Sequence, residues 1–224
     1  IIGFDVDRLW VTIHETDDEA EELWVKVTGI SRDRIQRLDE DNWWKMGDIG
    51  PNGPCSEIFY DLGEEFGEDG GPAHGSEDRF IEFWNLVFMQ FDRQSDGTLK
   101  DLPMKSVDTG MGLERVTALV QGKHSNFETD IFVKIRQKIL ETANSAQGQP
   151  KKTLDELNLE QMQCINVVAD HIRMLCFTIA DGAIFSNEGR GYVLRRVLRR
   201  AARYATKFCP SWNKEQSFME KLVG

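Results

Sequence analysis

The chain has 224 residues, 40 % hydrophobic and 29 % charged, with a formal net charge of −11. That balance belongs to an ordinary globular protein with room for one large domain or two small ones. No apolar run reaches the roughly 18 residues of a membrane-spanning helix, and the acidic total excludes nucleic-acid binding over the whole surface.

The opening stretch, "IIGFDVDRLWVTIHE", does not start with Met and reads as the middle of something larger. Within it, "RLWVTIHE" (8–15) alternates Leu9, Val11 and Ile13 with Trp10, Thr12 and His14, which predicts a strand. "DDEAEELWVKVTG" (17–29) predicts a helix, with acids in the first turn where the helix dipole favours them and Gly29 as the stop. "ISRDRIQRLDEDN" reads as a polar connection. The Gly and Pro content of "WWKMGDIGPNGPCSE" (43–57) predicts a tight, rigid loop, and "CSEIFYD" (55–61) a short strand. "LGEEFGEDGGPAHGSEDR" (62–79) is glycine-rich and acidic, the composition of a mobile surface loop.

"FIEFWNLVFMQFDR" (80–93) is nearly all apolar, and its aromatic and β-branched content predicts a central strand covered on both faces. "QSDGTL" carries an Asp-Gly hairpin signal, and "SVDT" is the next strand. From there Leu113, Val116, Leu119 and Val120 take helical spacing. The first part of the chain is thus expected to be α+β, a mainly antiparallel sheet with helices. After the helical stretch "NFETDIFVKIRQKILETA", the polar run "NSAQGQPKKTLDELNLEQ" marks a boundary, giving domains 1–143 and 144–224. Beyond it the patterns are helical throughout.

Four cysteines stand far apart, at 55, 164, 176 and 209, with no C-x-x-C pair. Neither a zinc ribbon nor a disulfide framework is suggested, and reduced, mostly buried thiols of a cytosol-like compartment are expected. His14, His74, His124 and His171 form no metal-binding spacing with them, so no protein-held metal is expected. His171, on an apolar helix, reads as a packed histidine.

The chemistry concentrates in "SVDTGMGLERVTALV" (106–120). Glycine lets a ligand approach the backbone closely. The helix opening at Leu113 offers free N–H groups to an anion, and Arg115 adds a fork of donors that fits phosphate. Asp108, at the strand end, suits an ammonium group or a metal. This is neither the dinucleotide fingerprint, since Glu114 and Arg115 stand where its third Gly would fall, nor a Walker loop. A plain turn with a helix cap and a nucleotide site both remain open on these residues alone.

The string "GMGLER" after a strand resembles motif 3 of the class II aminoacyl-tRNA synthetases. The longer strings "DNWWKMGDIGPNGPCSEIFYD", "IEFWNLVFMQFDRQSDGTL", "SVDTGMGLERVTALVQGKHSNFETDIF", "ADHIRMLCFTIADG" and "SNEGRGYVLRRVLRRAARYA" are similar to the alanyl-tRNA synthetase family, in order over nearly the whole chain. The resemblance implies a class II sheet followed by an all-α domain, and ATP-dependent activation of alanine followed by its transfer to tRNA(Ala). It implies that Asp108 binds the alanine ammonium group, that Asn85 and Val87 line the amino-acid pocket, and that Trp44 walls it. Gly110, Gly112 and Arg115 would hold ATP, with Arg115 and Asp108 as the catalytic pair and Mg2+ bridging the phosphates. Against these stand plainer readings: Trp44 as a core aromatic, Asn85 as a satisfied internal amide, and Glu57 and Asp61 as structural or solvated carboxylates rather than magnesium contacts. Trp43 and Asn52 depart from the family pattern, where Phe and Cys are usual. Motifs 1 and 2 are not found in these residues, so the chain by itself is expected to be inactive. The rival reading is a non-catalytic paralogue that serves as an RNA-binding module.

From Phe185 to Lys207 seven basic residues face one acid, a local charge of +6 that leaves −17 for the rest. On a helical wheel Val193, Leu194, Val197, Leu198, Ala201, Ala202 and Ala205 fill one half, and Arg195, Arg196, Arg199, Arg200 and Arg203 the other. The arginine half either faces water or grips phosphates. By resemblance this domain holds the tRNA acceptor stem, with Asn187 at its G·U pair and Arg190 and Arg199 on the backbone. The implied partners are tRNA(Ala), alanine and ATP, with no membrane and no DNA, in the cytoplasm.

Overall fold

The computed structural model describes residues 2–145, 151–210 and 218–223. The chain forms two compact units, 1–124 and 125–224.

The first unit is built on a six-stranded sheet. Its strands are β1 (Leu9–His14), β2 (Ile35–Leu38), β3 (Trp43–Lys45), β4 (Gly50–Asp61), β5 (Phe80–Arg93) and β6 (Leu99–Met111). The order is β2-β1-β4-β5-β6, with β3 also paired to β4. Only β1 and β2 run parallel; the remaining pairs are antiparallel. Three helices accompany the sheet: α1 (Asp18–Thr28), α2 (Gly71–His74) and α3 (Leu113–Val120). The expected α+β class is therefore the observed one.

Helix α1 starts and stops where its sequence says. The Asp17 carboxylate accepts from the Ala20 N–H at 3.0 Å, and Gly29 closes the helix at φ 75°. Its inner side packs on one face of the sheet, with Val11, Ile13 and Ala20 buried among Trp24, Ile30, Ile35 and Phe88. The Trp24 indole donates to Ser56 Oγ at 2.8 Å, which fixes that face of β4 toward α1. Because side chains alternate along a strand, Thr12 and Glu57, the register neighbours of that packed row, point to the opposite side of the sheet.

Four expectations need correction. Residues 43–57 are not a loop but a hairpin of β3 and the first half of β4. The reason is tertiary: a Cβ on Gly53 would lie 2.0 Å from the Phe88 carbonyl oxygen, so glycine serves close strand contact there. The connection 30–42 contains β2, whose Ile35 pairs with Val11 of β1. Residues 62–79 are held rather than free. Arg79, 7 % exposed, donates to both oxygens of Asp61 at 2.7 and 2.9 Å, and Gln36 bonds Gly70 and Ala73 around α2. Finally, β5 is central but not covered twice, since only Phe80, Phe83 and Val87 of its residues are buried.

The second unit is helical: α4 (Asp130–Asn144), α5 (Leu159–Ala180), α6 (Gly189–Phe208) and α7 (Phe218–Val223). Its core gathers Phe132, Ile139, Leu140, Ile165, Val168, Ala169, Ala201 and Phe218. Ile139, Ile165 and Val168 are wholly buried, each stabilising by about 1.5–3 kcal/mol. Asn158 and Gln161 form a reciprocal capping box that pins the start of α5. The expected boundary at 143/144 falls at the last residue of α4, whereas the units divide before the helix. Helix α4 buries Phe132, Ile139, Leu140 and Ala143 in the helical core, which places it with the second unit. Part of the polar run taken as the boundary, 146–150, lies outside the described residues.

Candidate functional site

Antiparallel pairing sets two neighbouring rungs across the middle of the sheet. One runs Thr12–Glu57–Asn85–Gly110 through β1, β4, β5 and β6. The other runs Cys55–Val87–Asp108 through β4, β5 and β6. Residues two apart on a strand share a face, so both rungs present their side chains opposite to α1. Four of the residues singled out in the sequence, Asn85, Val87, Asp108 and Gly110, are thereby brought together. Trp44 stands apart from the rungs on β3, half-buried and paired with Gly53. Its neighbour Trp43 makes ring contacts, 5.0 Å from His14 and stacked 5.9 Å from Phe91.

The β6 end of the rungs is open. Asp108, Gly110, Met111 and Gly112 are all exposed, and Asp108 Oδ1 accepts from the Thr109 N–H at 2.8 Å. Neither Gly110 nor Gly112 has positive φ, and a Cβ on Gly110 would meet no atom within 4 Å. The fold therefore demands glycine at 110 for neither conformation nor packing. What a missing β-carbon leaves there is room beside the backbone, next to an α3 start that has no side-chain cap. Arg115, in the first turn of α3, is exposed and donates to the Glu82 carboxylate at 2.8 Å and to its backbone oxygen at 2.6 Å.

The β4 end is enclosed and polar. Asn85 Nδ2 donates to Glu57 Oε1 at 3.0 Å, Thr12 Oγ1 lies 3.4 Å from Glu57 Oε2, and Asn42 Nδ2 donates to Thr12 Oγ1 at 2.9 Å. Burial, and then the nearby Glu82 charge, push the Glu57 carboxyl up to about 7. Burial, and then Glu57, push the Cys55 thiol up to about 11, so it is an unreactive thiol whose S–H points to the Asp41 carbonyl at 3.9 Å. Glu57 is thus no solvated carboxylate; its place on the rung gives it its partners. Asp61 is structural, as read, through Arg79. Asn52, buried, donates to the Gly50 carbonyl at 3.0 Å.

Among the described residues no group of three or more His, Cys, Asp or Glu side chains is placed to hold a metal ion. Asp108 and Arg115 place an exposed carboxylate and an exposed guanidinium on either side of Gly110 and Gly112, one suited to a cation and the other to an anion.

In the helical unit α6 buries Leu194, Ala201 and Ala205 and turns its arginines outward. Val193 and Ala202, assigned to the apolar half, are exposed. A groove of about 920 Å3 is lined by Arg196, Arg199, Arg200 and Arg203 together with His171 and Tyr204. Arg200 Nη1 lies 3.1 Å from His171 Nε2, while His171 Nδ1 faces Asp170 at 2.9 Å. His171 is buried, as expected, but it also anchors an arginine of this groove. Asn187 sits in the turn before α6, where Arg195 donates to its Oδ1. That turn is tight, since a Cβ on Gly191 would lie 2.4 Å from the Ile184 carbonyl oxygen. Arg190 is exposed near the start of α6.

A family model described as tRNA synthetases class II (A) matches residues 1–224. The chain belongs to the class II tRNA synthetases. Among relatives of this family, it is 53 % identical over 209 residues to an alanine–tRNA ligase of Chromohalobacter salexigens, covering 92 % of this chain and 22 % of that one. It is 49 % identical over 232 residues to one of a Psychrobacter species and 51 % identical over 225 residues to one of Francisella philomiragia, in each case covering 99 % of this chain and 24 % of the relative. The chain thus spans about a quarter of the length of these class II relatives. Among the described residues no helix is long and apolar enough to cross a membrane.

Proposed function

We propose that this chain is the part of an alanine–tRNA ligase that seats alanine and ATP on its sheet and the tRNA acceptor stem on its helices. In the reaction the alanine carboxylate attacks the α-phosphorus of ATP, pyrophosphate leaves, and a terminal ribose hydroxyl of tRNA then takes the alanyl group and releases AMP. Asp108 receives the α-ammonium group as a charge-assisted partner. Val87, buried between Cys55 and Asp108 on its rung, limits the pocket to a methyl group, and Asn85 and Trp44 complete it. Gly110 and Gly112 let the nucleotide lie against the backbone, and Arg115 takes its phosphates. Magnesium bound with ATP offsets phosphate charge. The four unpaired cysteines suit a cytoplasmic protein.

The observation that carries this reading is the pair of adjoining rungs that puts Asp108 and Gly110 opposite Val87 and Asn85 on an open sheet face, with Arg115 one turn away. The test is alanine-dependent ATP–pyrophosphate exchange by the full gene product. Asp108→Asn is expected to lower kcat/KM for alanine about 10- to 100-fold, the worth of an oriented charged hydrogen bond. Exchange driven by another amino acid, or untouched by Asp108→Asn, would overturn it. The helical unit, 125–224, supplies stem recognition, with Asn187 at the G·U pair and Arg190 and Arg199 at phosphates. The groove lined by four α6 arginines supports that half of the reading.

A further inference from the structure

The buried polar network at the β4 end of the rungs is directional. Asn42 donates to Thr12, Thr12 faces one oxygen of Glu57, and Asn85 donates to the other. Both oxygens of Glu57 thus receive a donor, one from Thr12 and one from Asn85. An amide that donates through Nδ2 to a carboxylate must turn its carbonyl oxygen elsewhere. Asn85 Oδ1 is buried and has no hydrogen-bond partner among the described residues, and Asn42 Oδ1 is in the same position. A buried acceptor left without a donor costs on the order of a lost hydrogen bond, so such atoms in a site call for a ligand that donates.

We infer that Glu57 is a positioning residue: by taking the Asn85 N–H it leaves Asn85 Oδ1 unpartnered, as an acceptor for the ammonium group of the amino-acid substrate. The inference rests on the function proposed above and adds to it a residue that does not itself touch substrate. Asn85 and Asp108 lie diagonally on neighbouring strands of one face, Asn85 opposite Gly110 and Asp108 opposite Val87. Diagonal neighbours of this kind stay within reach of one small group. An ammonium group has three N–H donors, and the two positions supply two acceptors. A ligand with no N–H at this point leaves Asn85 Oδ1 empty and gains nothing from its orientation. The same geometry rejects an amide turned the other way, which would set an N–H against a cation.

The experiment compares two stable adenylate mimics on the full gene product by calorimetry. Alanyl-sulfamoyl-adenosine carries the ammonium group; the propionyl analogue lacks it. The wild-type protein is expected to prefer the alanyl form. Glu57→Leu removes the acceptor that orients Asn85, and is expected to weaken the alanyl mimic about 10- to 100-fold and the propionyl mimic less than about threefold. Glu57→Gln keeps an acceptor oxygen for Asn85 without the charge, and is expected to retain the preference. In an Asn85→Ala background Glu57→Leu is expected to change the preference no further. Equal weakening of both mimics by Glu57→Leu would reduce Glu57 to a packing role. Loss of the preference in Glu57→Gln would make its charge, not its orienting bond, the active feature; either result overturns the inference, and the second stands even if Glu57→Leu does not fold. Failure of the wild-type protein to bind either mimic would sink the proposed function itself, and the inference with it.

Discussion

Arg115 is tied to Glu82 twice over, through the carboxylate at 2.8 Å and through the backbone oxygen at 2.6 Å, yet both side chains stay in contact with water. An exposed ion pair of this kind contributes about 0–1 kcal/mol. It parks the guanidinium beside α3 without committing it, so the arginine is free to exchange one carboxylate for phosphate oxygens. Glu82→Gln is expected to change stability by less than about 1 kcal/mol in denaturant unfolding. Arg115→Ala is expected to raise the KM for ATP about tenfold or more, in line with a charged hydrogen bond lost. If pyrophosphate exchange by Arg115→Ala keeps the wild-type KM for ATP, the arginine has no phosphate role.

Two glycines make a contrasting pair. Gly110→Ala meets neither a clash nor a forbidden backbone angle, so the folded protein is expected to be as stable as wild type or up to ~1 kcal/mol more. Binding of the nucleotide is expected to fall about 10- to 100-fold, because the methyl group occupies the approach path. Gly53→Ala, by contrast, drives a methyl group into the Phe88 carbonyl and is expected to cost about 1–3 kcal/mol of stability. Thermal unfolding and calorimetric ATP titration on both variants separate the two effects. A melting loss in Gly110→Ala would return that glycine to a structural turn.

Glu57 gives the sheet a pH signature. Its carboxyl is raised to about 7 in the folded protein, from a reference of 4.5. The folded state then holds the proton more tightly than the unfolded one, so the stability this group lends is full below pH 4.5 and is lost as the pH rises through 7. Glu57→Gln removes that dependence. The difference in unfolding free energy between the variant and wild type is expected to shift in the variant's favour from pH 5 to pH 8. A flat difference across that window would mean an ordinary carboxylate.

For the helical unit, Asn187→Ala is expected to narrow the preference for G·U over G·C acceptor stems, since each base contact is worth about 1–3 kcal/mol. Arg199→Ala is expected to weaken both stems alike and to lower the salt dependence of binding by about one counterion. Filter binding on the two stems at several salt concentrations reads both. Equal losses on both stems from Asn187→Ala would deny it a base-reading role.

Much of this was legible in the residues. Alternation marked β1, acids and Gly29 marked α1, and an aromatic run marked β5. What escaped was set by contacts distant in sequence. The Gly-Pro run of β4 looks like a loop because its reason, the Phe88 carbonyl against Gly53, lies on another strand. The short β2 is polar and pairs with β1 across a helix, which no local pattern announces. At the site, Asp108 and the two glycines announced themselves, and Asn85 and Val87 came through the family resemblance. Glu57 reads in the sequence as a structural or solvated carboxylate, because a glutamate in a strand acquires its raised affinity for a proton only once burial and Glu82 surround it. On α6 the arginine stripe was plain, but the anchoring of Arg200 by His171 depends on how α5 lies against α6.

The irregularities in the pairing of β4 with β5 fall on either side of the rungs, between Asn52 and Cys55 and between Ile58 and Phe59. The stretch of β5 that carries Asn85 and Val87 is therefore bracketed by two phase changes. A single-residue insertion or deletion inside that bracket would turn Leu86 and Trp84 to the open side and hide Asn85 and Val87 against α1. A change of length in the middle of β5 thus alters which residues reach the open face, whereas the hairpin tip around Gly97 is exposed and lies outside both rungs.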